Sequence, residues 1–318
     1  MKIKILSFLM LLFVQLTFAQ LPAFTENLVS VNKLIDGTLT IPENIENSPL
    51  VILIQGSGPT DRDGNQRMMK NDASKKIAHQ LAENGIASYR FDKRIFKMNK
   101  FKIKEADLRF EDFVTDVNSI LEYFKADKNF GKIILAGHSE GSLIGMLAAQ
   151  QGADAFISLA GPGRSIDKIV VEQLAKQSEE LSENARQAFD EMGETGSTSN
   201  YSPYLESIFR PSVQPYMRSW MKYDPALEIA KLEVPILIIN GSFDLQVDST
   251  DAEILNTAAP NSKLVILKNM NHIFREIKGE NLENTKAYNE PNRPLHPELI
   301  PVLTDFIKSV KISAVEGH

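Results

Sequence analysis

Apolar and polar positions along this chain alternate between two periods. Residues 50–55, Leu50-Val51-Ile52-Leu53-Ile54-Gln55, form a continuous apolar run between proline and glycine, the pattern of a strand buried on both faces of a parallel sheet. Residues 70–84 carry Ile77 and Leu81 at helical spacing and stop at Gly85, and 86–91 then reads as a strand. The period switches again through a helix at 108–124 (Phe113, Val117, Ile120, Phe124), a strand at 132–136, a helix at 142–151 and a strand at 155–160. Strands and helices alternating at these lengths require βαβ crossovers, which predicts an α/β fold with a doubly wound, mostly parallel sheet. Upstream, 26–41 reads as two short strands around a turn at Asp36-Gly37.

The alternation breaks at 164. From there to 230 the chain offers helical stretches (166–176 and 180–192), a polar Gly/Ser/Thr/Asn segment at 193–202, and the aromatics Tyr204, Phe209, Tyr216, Trp220 and Tyr223, with no convincing strand. This predicts a helical cap inserted over one end of the sheet. Its aromatics either roof a pocket or form the insertion's own core. The sheet pattern returns at 235–240, followed by a helix at 250–258, a strand at 263–267 and a last helix at 297–310. The expected organisation is a leader at 1–19, a first core segment at 20–163, the cap at 164–230 and a second core segment at 231–318.

The leader follows from Lys2 and Lys4 ahead of an apolar stretch, 5–18, that ends in Thr17-Phe18-Ala19. That is a secretory signal with cleavage after Ala19, and the apolar run is shorter than the roughly 20 residues that span a bilayer. A periplasmic or secreted protein without a stable membrane anchor is expected. The chain has no cysteine, so neither a disulfide nor a lipid-modified cysteine is available. A net charge of -6 offers no basic surface for a phosphate backbone, which argues against nucleic acid as a partner.

Gly137-His138-Ser139-Glu140-Gly141 stands directly after the 132–136 strand and before an apolar helix. So tight a strand-to-helix turn strains the serine backbone and crowds its neighbours, which is why glycine flanks it two residues away on each side. A serine hydroxyl attacks only when a base removes its proton. Of the five histidines, His79 lies mid-helix, His138 is inside the motif, His296 precedes a surface helix and His318 is terminal. His272 alone follows a late strand in a loop that returns to the edge where Ser139 is raised. An imidazole in that role needs a carboxylate to fix its tautomer. Asp244, just after the 235–240 strand, is the first choice and Asp248 the fallback.

The transition state of acyl transfer also needs N–H donors at its oxyanion. Gln55-Gly56-Ser57-Gly58-Pro59 supplies one after the first core strand, with Ser57 preferred over Gly58, and Glu140 supplies the other. A phosphate-binding loop is the competing reading of these glycines, but no Lys-Ser/Thr pair follows and Pro59 removes a donor. Asp61-Arg62-Asp63-Gly64-Asn65 resembles half a calcium loop without its later ligands and reads as a structural turn. Asp92-Lys93-Arg94 either lines the mouth of the site or forms a salt-bridged loop. No metal or organic cofactor is called for.

The order Ser, Asp, His is that of α/β-hydrolases. Taken together, residues 55–65 (QGSGPTDRDGN), 137–141 (GHSEG), Tyr223-Asp224-Pro225, 234–247 (VPILIINGSFDLQV) and Asn271-His272 resemble the bacterial α/β-hydrolases of the serine-aminopeptidase-like, or EstD-like carboxylesterase, group. The resemblance spans nearly the whole chain beyond the leader. It implies the α/β-hydrolase fold with a helical cap and a carboxylesterase that cleaves short-to-medium acyl esters of small-molecule substrates. A peptidase or acyltransferase built on the same three residues is the alternative, and an inactive binding protein of the same fold is the non-enzyme alternative. Two departures stand out. Where the group carries Gly-x-Gly-x-Ser this chain has Ile95-Phe96-Lys97-Met98-Asn99, and Glu140 puts a carboxylate beside the oxyanion position.

Overall fold

The computed structural model describes residues 24–43 and 47–311. The expected leader at 1–19 and the terminal His318 lie outside the described residues.

Eight strands form one sheet in the order β1-β2-β4-β3-β5-β6-β7-β8. They are β1 (Phe24–Asn32), β2 (Ile35–Pro42), β3 (Ser48–Ile54), β4 (Ala87–Phe91), β5 (Phe130–His138), β6 (Ala155–Leu159), β7 (Ile236–Gly241) and β8 (Lys263–Leu267). From β4 to β8 all neighbours pair in parallel, while β1 and β2 close one edge antiparallel. The predicted turn at Asp36-Gly37 falls three residues too late, because the chain reverses at Lys33 and Leu34. Gly37 is paired within β2, and a Cβ there would lie 2.2 Å from the Tyr89 ring, so packing rather than turning requires that glycine.

Between these strands run α1 (Ala73–Glu83), the short α2 (Met98–Phe101), α3 (Phe110–Ala126), α4 (Glu140–Ala149) and α10 (Ser249–Ala258), and α11 (Asn281–Ala287) and α12 (Leu299–Ser309) follow β8. The insertion supplies α5 (Ile166–Ala175), α6 (Glu179–Thr195), α7 (Glu206–Phe209), α8 (Gln214–Trp220) and α9 (Pro225–Ile229), with no strand between β6 and β7. Local signals set the ends. Asn71 Oδ1 accepts from Ala73 N–H at the start of α1, and Ser178 Oγ accepts from Leu181 N–H at the start of α6. Gly196, in the left-handed region at φ +93°, ends α6, three residues past the point where its sequence turns polar.

Alternate strand residues face opposite layers. Leu50, Ile52 and Ile54 of β3 pack towards α3, α4 and the insertion, whereas Val51 and Leu53 pack towards α1 and α12. Both faces of β3 are therefore buried, as its unbroken apolar run requires. The carboxyl ends of the parallel strands share one edge, so the loops after β3, β4, β5, β7 and β8 meet there.

Candidate active site

Ser139 follows β5 directly and precedes the first residue of α4, with φ 54° and ψ -120°. Few non-glycine residues adopt such a backbone, and where one does the surrounding packing must enforce it. The enforcement is visible in the flanking glycines. A Cβ on Gly137 would lie 2.1 Å from the Gly141 carbonyl oxygen, and one on Gly141 would lie 2.5 Å from that of Ile54.

His272 sits in the loop after β8, with its Nδ1–H donating to Asp244 Oδ2 at 2.7 Å. Asp244, in the loop after β7, takes the Gln246 and Val247 N–H groups on its other oxygen at 2.8 and 3.0 Å. The carboxylate is thus fixed by three donors and the imidazole keeps Nε2 as its acceptor nitrogen. Both side chains are buried. Asp248 has another task, since its Oδ1 caps α10 through Thr250 N–H at 3.0 Å.

Ser139 and His272 line one cavity of about 430 Å³, and no Ser139–His272 hydrogen bond is among the contacts of the described residues. Ser139 also opens onto a second cavity of about 640 Å³, whose wall includes Ser57, Gly58 and Glu140. Glu140 is the first residue of α4, where an N–H has no intrahelical acceptor.

The Glu140 side chain does not project into the cavity as a free anion. It is buried, paired with Lys93 Nζ at 2.7 Å and hydrogen-bonded by the Tyr216 hydroxyl from α8. Lys93 Nζ also donates to the Gly56 carbonyl at 3.0 Å and lies 4.8 Å from the centre of the Phe113 ring. Burial, followed by the Glu140 charge, pushes the Tyr216 hydroxyl well above its ordinary pKa, so it stays protonated and donates. Lys93 therefore does both things the sequence allowed, since it lines the larger cavity and is ion-paired. Its neighbours are structural: Asp92 pairs with Arg62, and Arg94 with Asp112 and Asp116. Asp61 accepts from Asp63 and Asn65 N–H, which closes the turn there.

Several contributors escaped the sequence reading. His138 Nε2–H donates to the His272 carbonyl at 2.9 Å, the two rings lie 4.7 Å apart, and Phe274 packs edge-on against His138 at 4.8 Å. Burial, then the neighbouring His272, lowers the His138 pKa to about 3, so it is neutral near pH 7. Asn271 Oδ1 accepts from the Ile273 and Arg275 N–H groups, while its Nδ2 donates to Asn284 of α11. Asn284 in turn donates to the Phe243 carbonyl, beside Asp244. The Asn-His pair was visible in the sequence, but its link through α11 had no local signal.

The aromatics of the insertion divide. Phe209 packs on Phe189 inside the insertion, Tyr204 is exposed, and Tyr216 and Trp220 meet Phe110 of α3 while lining the larger cavity. Ile95 and Met98, in the segment that departs from the group pattern, are part of the same wall.

The sheet order, the crossovers and the raised serine define the α/β-hydrolase fold. A profile of the family described as serine aminopeptidase, S33, matches residues 70–204. Esterase EstD of Thermotoga maritima is 28% identical over 282 residues, which cover 84% of this chain and 63% of that relative. The chain thus spans less than two thirds of the curated relative it matches. Among solved structures, Est1E from Butyrivibrio proteoclasticus with ferulic acid bound superposes with a TM-score of 0.54 at 19% identity, covering 89% of this chain and 96% of that one. The Pyrococcus horikoshii acylaminoacyl peptidase gives 0.55 at 17% identity over 95% of this chain and 44% of that one. Both share the fold, and the sequence resemblance is to the serine-aminopeptidase-like, EstD-like group read from the motifs.

Proposed function

We propose that this protein is a serine hydrolase of carboxylic esters, with Ser139 as nucleophile, His272 as general base and Asp244 as the carboxylate that orients it. The observation that carries the reading is the 2.7 Å Asp244–His272 bond in the wall of a cavity shared with Ser139 on its strained turn. In the proposed reaction His272 Nε2 takes the hydroxyl proton as Ser139 attacks the carbonyl, then gives it to the leaving alcohol. Water hydrolyses the acyl-enzyme by the same route. The Ser57 and Glu140 N–H groups are proposed to hold the oxyanion.

The larger cavity suits an acyl chain, because its wall is mostly apolar and includes Ile169, Val170, Met217 and Trp220. An ester substrate is favoured over one with a free amino terminus by charge. The two carboxylates in that wall, Glu105 and Glu140, are already engaged by Arg210 and Lys93, which leaves neither to hold a substrate ammonium. The T. maritima relative is itself named an esterase.

The test is hydrolysis of p-nitrophenyl octanoate by the wild type and by Ser139→Ala and His272→Ala. Turnover by the wild type that falls at least about 10³-fold in both variants supports the reading, and wild-type-like rates in either reject it. Export is proposed from the leader sequence alone. Secretion through a native signal should give an intact mass that begins at Gln20.

A further inference from the structure

The two backbone donors proposed for the oxyanion stand on separate segments, Ser57 after β3 and Glu140 at the start of α4. One buried cation touches both. Lys93, about 5% exposed in the loop after β4, directs Nζ to the Gly56 carbonyl at 3.0 Å and to Glu140 Oε2 at 2.7 Å, with the centre of the Phe113 ring 4.8 Å away.

The Gly56 carbonyl and the Ser57 N–H belong to the same peptide unit. In a trans peptide the two groups point in opposite directions, so an ammonium that holds the carbonyl on one side aims the N–H to the other. That N–H has no backbone acceptor among the described residues, and Ser57 lies in the wall of both cavities that meet at Ser139. The chain here passes directly beside the nucleophile, since a Cβ on Gly56 would lie 3.2 Å from the Ser139 Cβ. A cation on the carbonyl oxygen also polarises the peptide and makes its N–H the stronger donor to a developing negative charge.

The second donor is tied to the same cation through its own side chain. The Glu140 carboxylate is held by Lys93 and by the Tyr216 hydroxyl, which fixes the residue whose N–H opens α4. Stability alone does not explain an ion pair in this place, because an apolar pair of similar volume commonly serves a fold as well or better. The reason for the pair lies in what it orients.

Resting on the esterase reading, we propose that Lys93 is the positioning residue of the oxyanion site: its ammonium orients and polarises the Gly56–Ser57 peptide and locks it to Glu140. Lys93 itself exchanges no proton and forms no bond with the substrate. As Ser139 attacks, the acyl oxygen gains negative charge and takes the Ser57 and Glu140 N–H groups, and it returns to a carbonyl when the alcohol leaves.

The experiment uses Lys93→Met and the double variant Lys93→Met with Glu140→Gln. The double variant keeps both backbone N–H groups and leaves no buried charge unpaired, so it carries the test should the single variant fail to fold. In the folded double variant kcat for p-nitrophenyl octanoate should fall about 10–100-fold with KM little changed, the mark of an interaction made only in the transition state. Sulfur accepts hydrogen bonds weakly, so labelling of Ser139 by a fluorophosphonate is compared with labelling by its P=S counterpart. The ratio of the two rates should shrink in the variant by about the factor lost from kcat, and the intrinsic reactivities of the reagents cancel between proteins. Wild-type kcat in the folded double variant, or a fall in kcat with the ratio unchanged, would overturn the inference and leave the esterase reading standing. Neither turnover nor labelling in the wild type would overturn the esterase reading and this inference with it.

Discussion

His138 donates from Nε2 to the backbone carbonyl of His272 at 2.9 Å, so the residue beside the proposed nucleophile supports the loop that carries the proposed base. Its lowered pKa makes that support sensitive to pH. In the unfolded chain a histidine titrates near 6.5, whereas in the fold this one holds out to about 3. Between those values the unfolded state binds the extra proton, and stability therefore falls as pH drops below about 6.5. Denaturant unfolding at pH 7, 6 and 5 should show a loss that approaches about 1.4 kcal/mol per pH unit from this group. His138→Gln should show a shallower slope over the same range, and an equal slope would remove His138 as the cause.

Asp244 and Asp248 should separate cleanly by substitution. Asp244→Asn is expected to lower kcat by on the order of 10⁴-fold, because the imidazole loses the partner that fixes its tautomer. Asp248→Asn should change ester turnover little and cost at most about 1 kcal/mol of stability through the α10 cap. A large activity loss from Asp248→Asn would reassign the acid.

Lys93→Met leaves Glu140 charged and buried without its cation. Breaking a buried pair from one side costs about 3–5 kcal/mol, so a large drop in Tm is expected by calorimetry. The double variant Lys93→Met with Glu140→Gln should recover most of it, and no recovery would show that the ion pair is not what Lys93 contributes.

Gly137→Ala should not yield folded protein, because its methyl group would meet the backbone of Gly141 at 2.1 Å. Soluble Gly137→Ala with the wild-type circular dichroism and Tm would contradict the packing described for the turn.

Val170→Trp places a larger ring in the wall of the 640 Å³ cavity. If that cavity takes the acyl chain, kcat/KM should fall about tenfold or more for p-nitrophenyl octanoate while the acetate ester is affected less. Equal losses on both esters would move the acyl chain elsewhere.

Much of this was legible in the chain because period and turn chemistry are local. The 50–55 run predicted a strand with two buried faces, and β3 is that strand. The helical period at 108–124 recovers α3 to within two residues at each end. Asp36-Gly37 misled because the same dipeptide serves a tight turn and a crowded strand, and only the Tyr89 ring, 52 positions beyond Gly37, distinguishes them. The short α2 and α11 were missed for want of a full helical period. At the site, Ser139, Asp244 and His272 stood out because each follows a strand that ends at one edge. The Lys93–Glu140–Tyr216 cluster joins three segments distant in sequence, and nothing local to any of them announces the other two.

The central proposal is that His272, held by Asp244, activates the Ser139 hydroxyl. Its most direct test is intact-mass and peptide mapping after exposure of the folded protein to a fluorophosphonate. A single adduct on Ser139, formed far more slowly in a folded His272→Ala variant, is the predicted result. Folded wild-type protein that remains unlabelled at Ser139, or a His272→Ala variant labelled at the same rate, would contradict it.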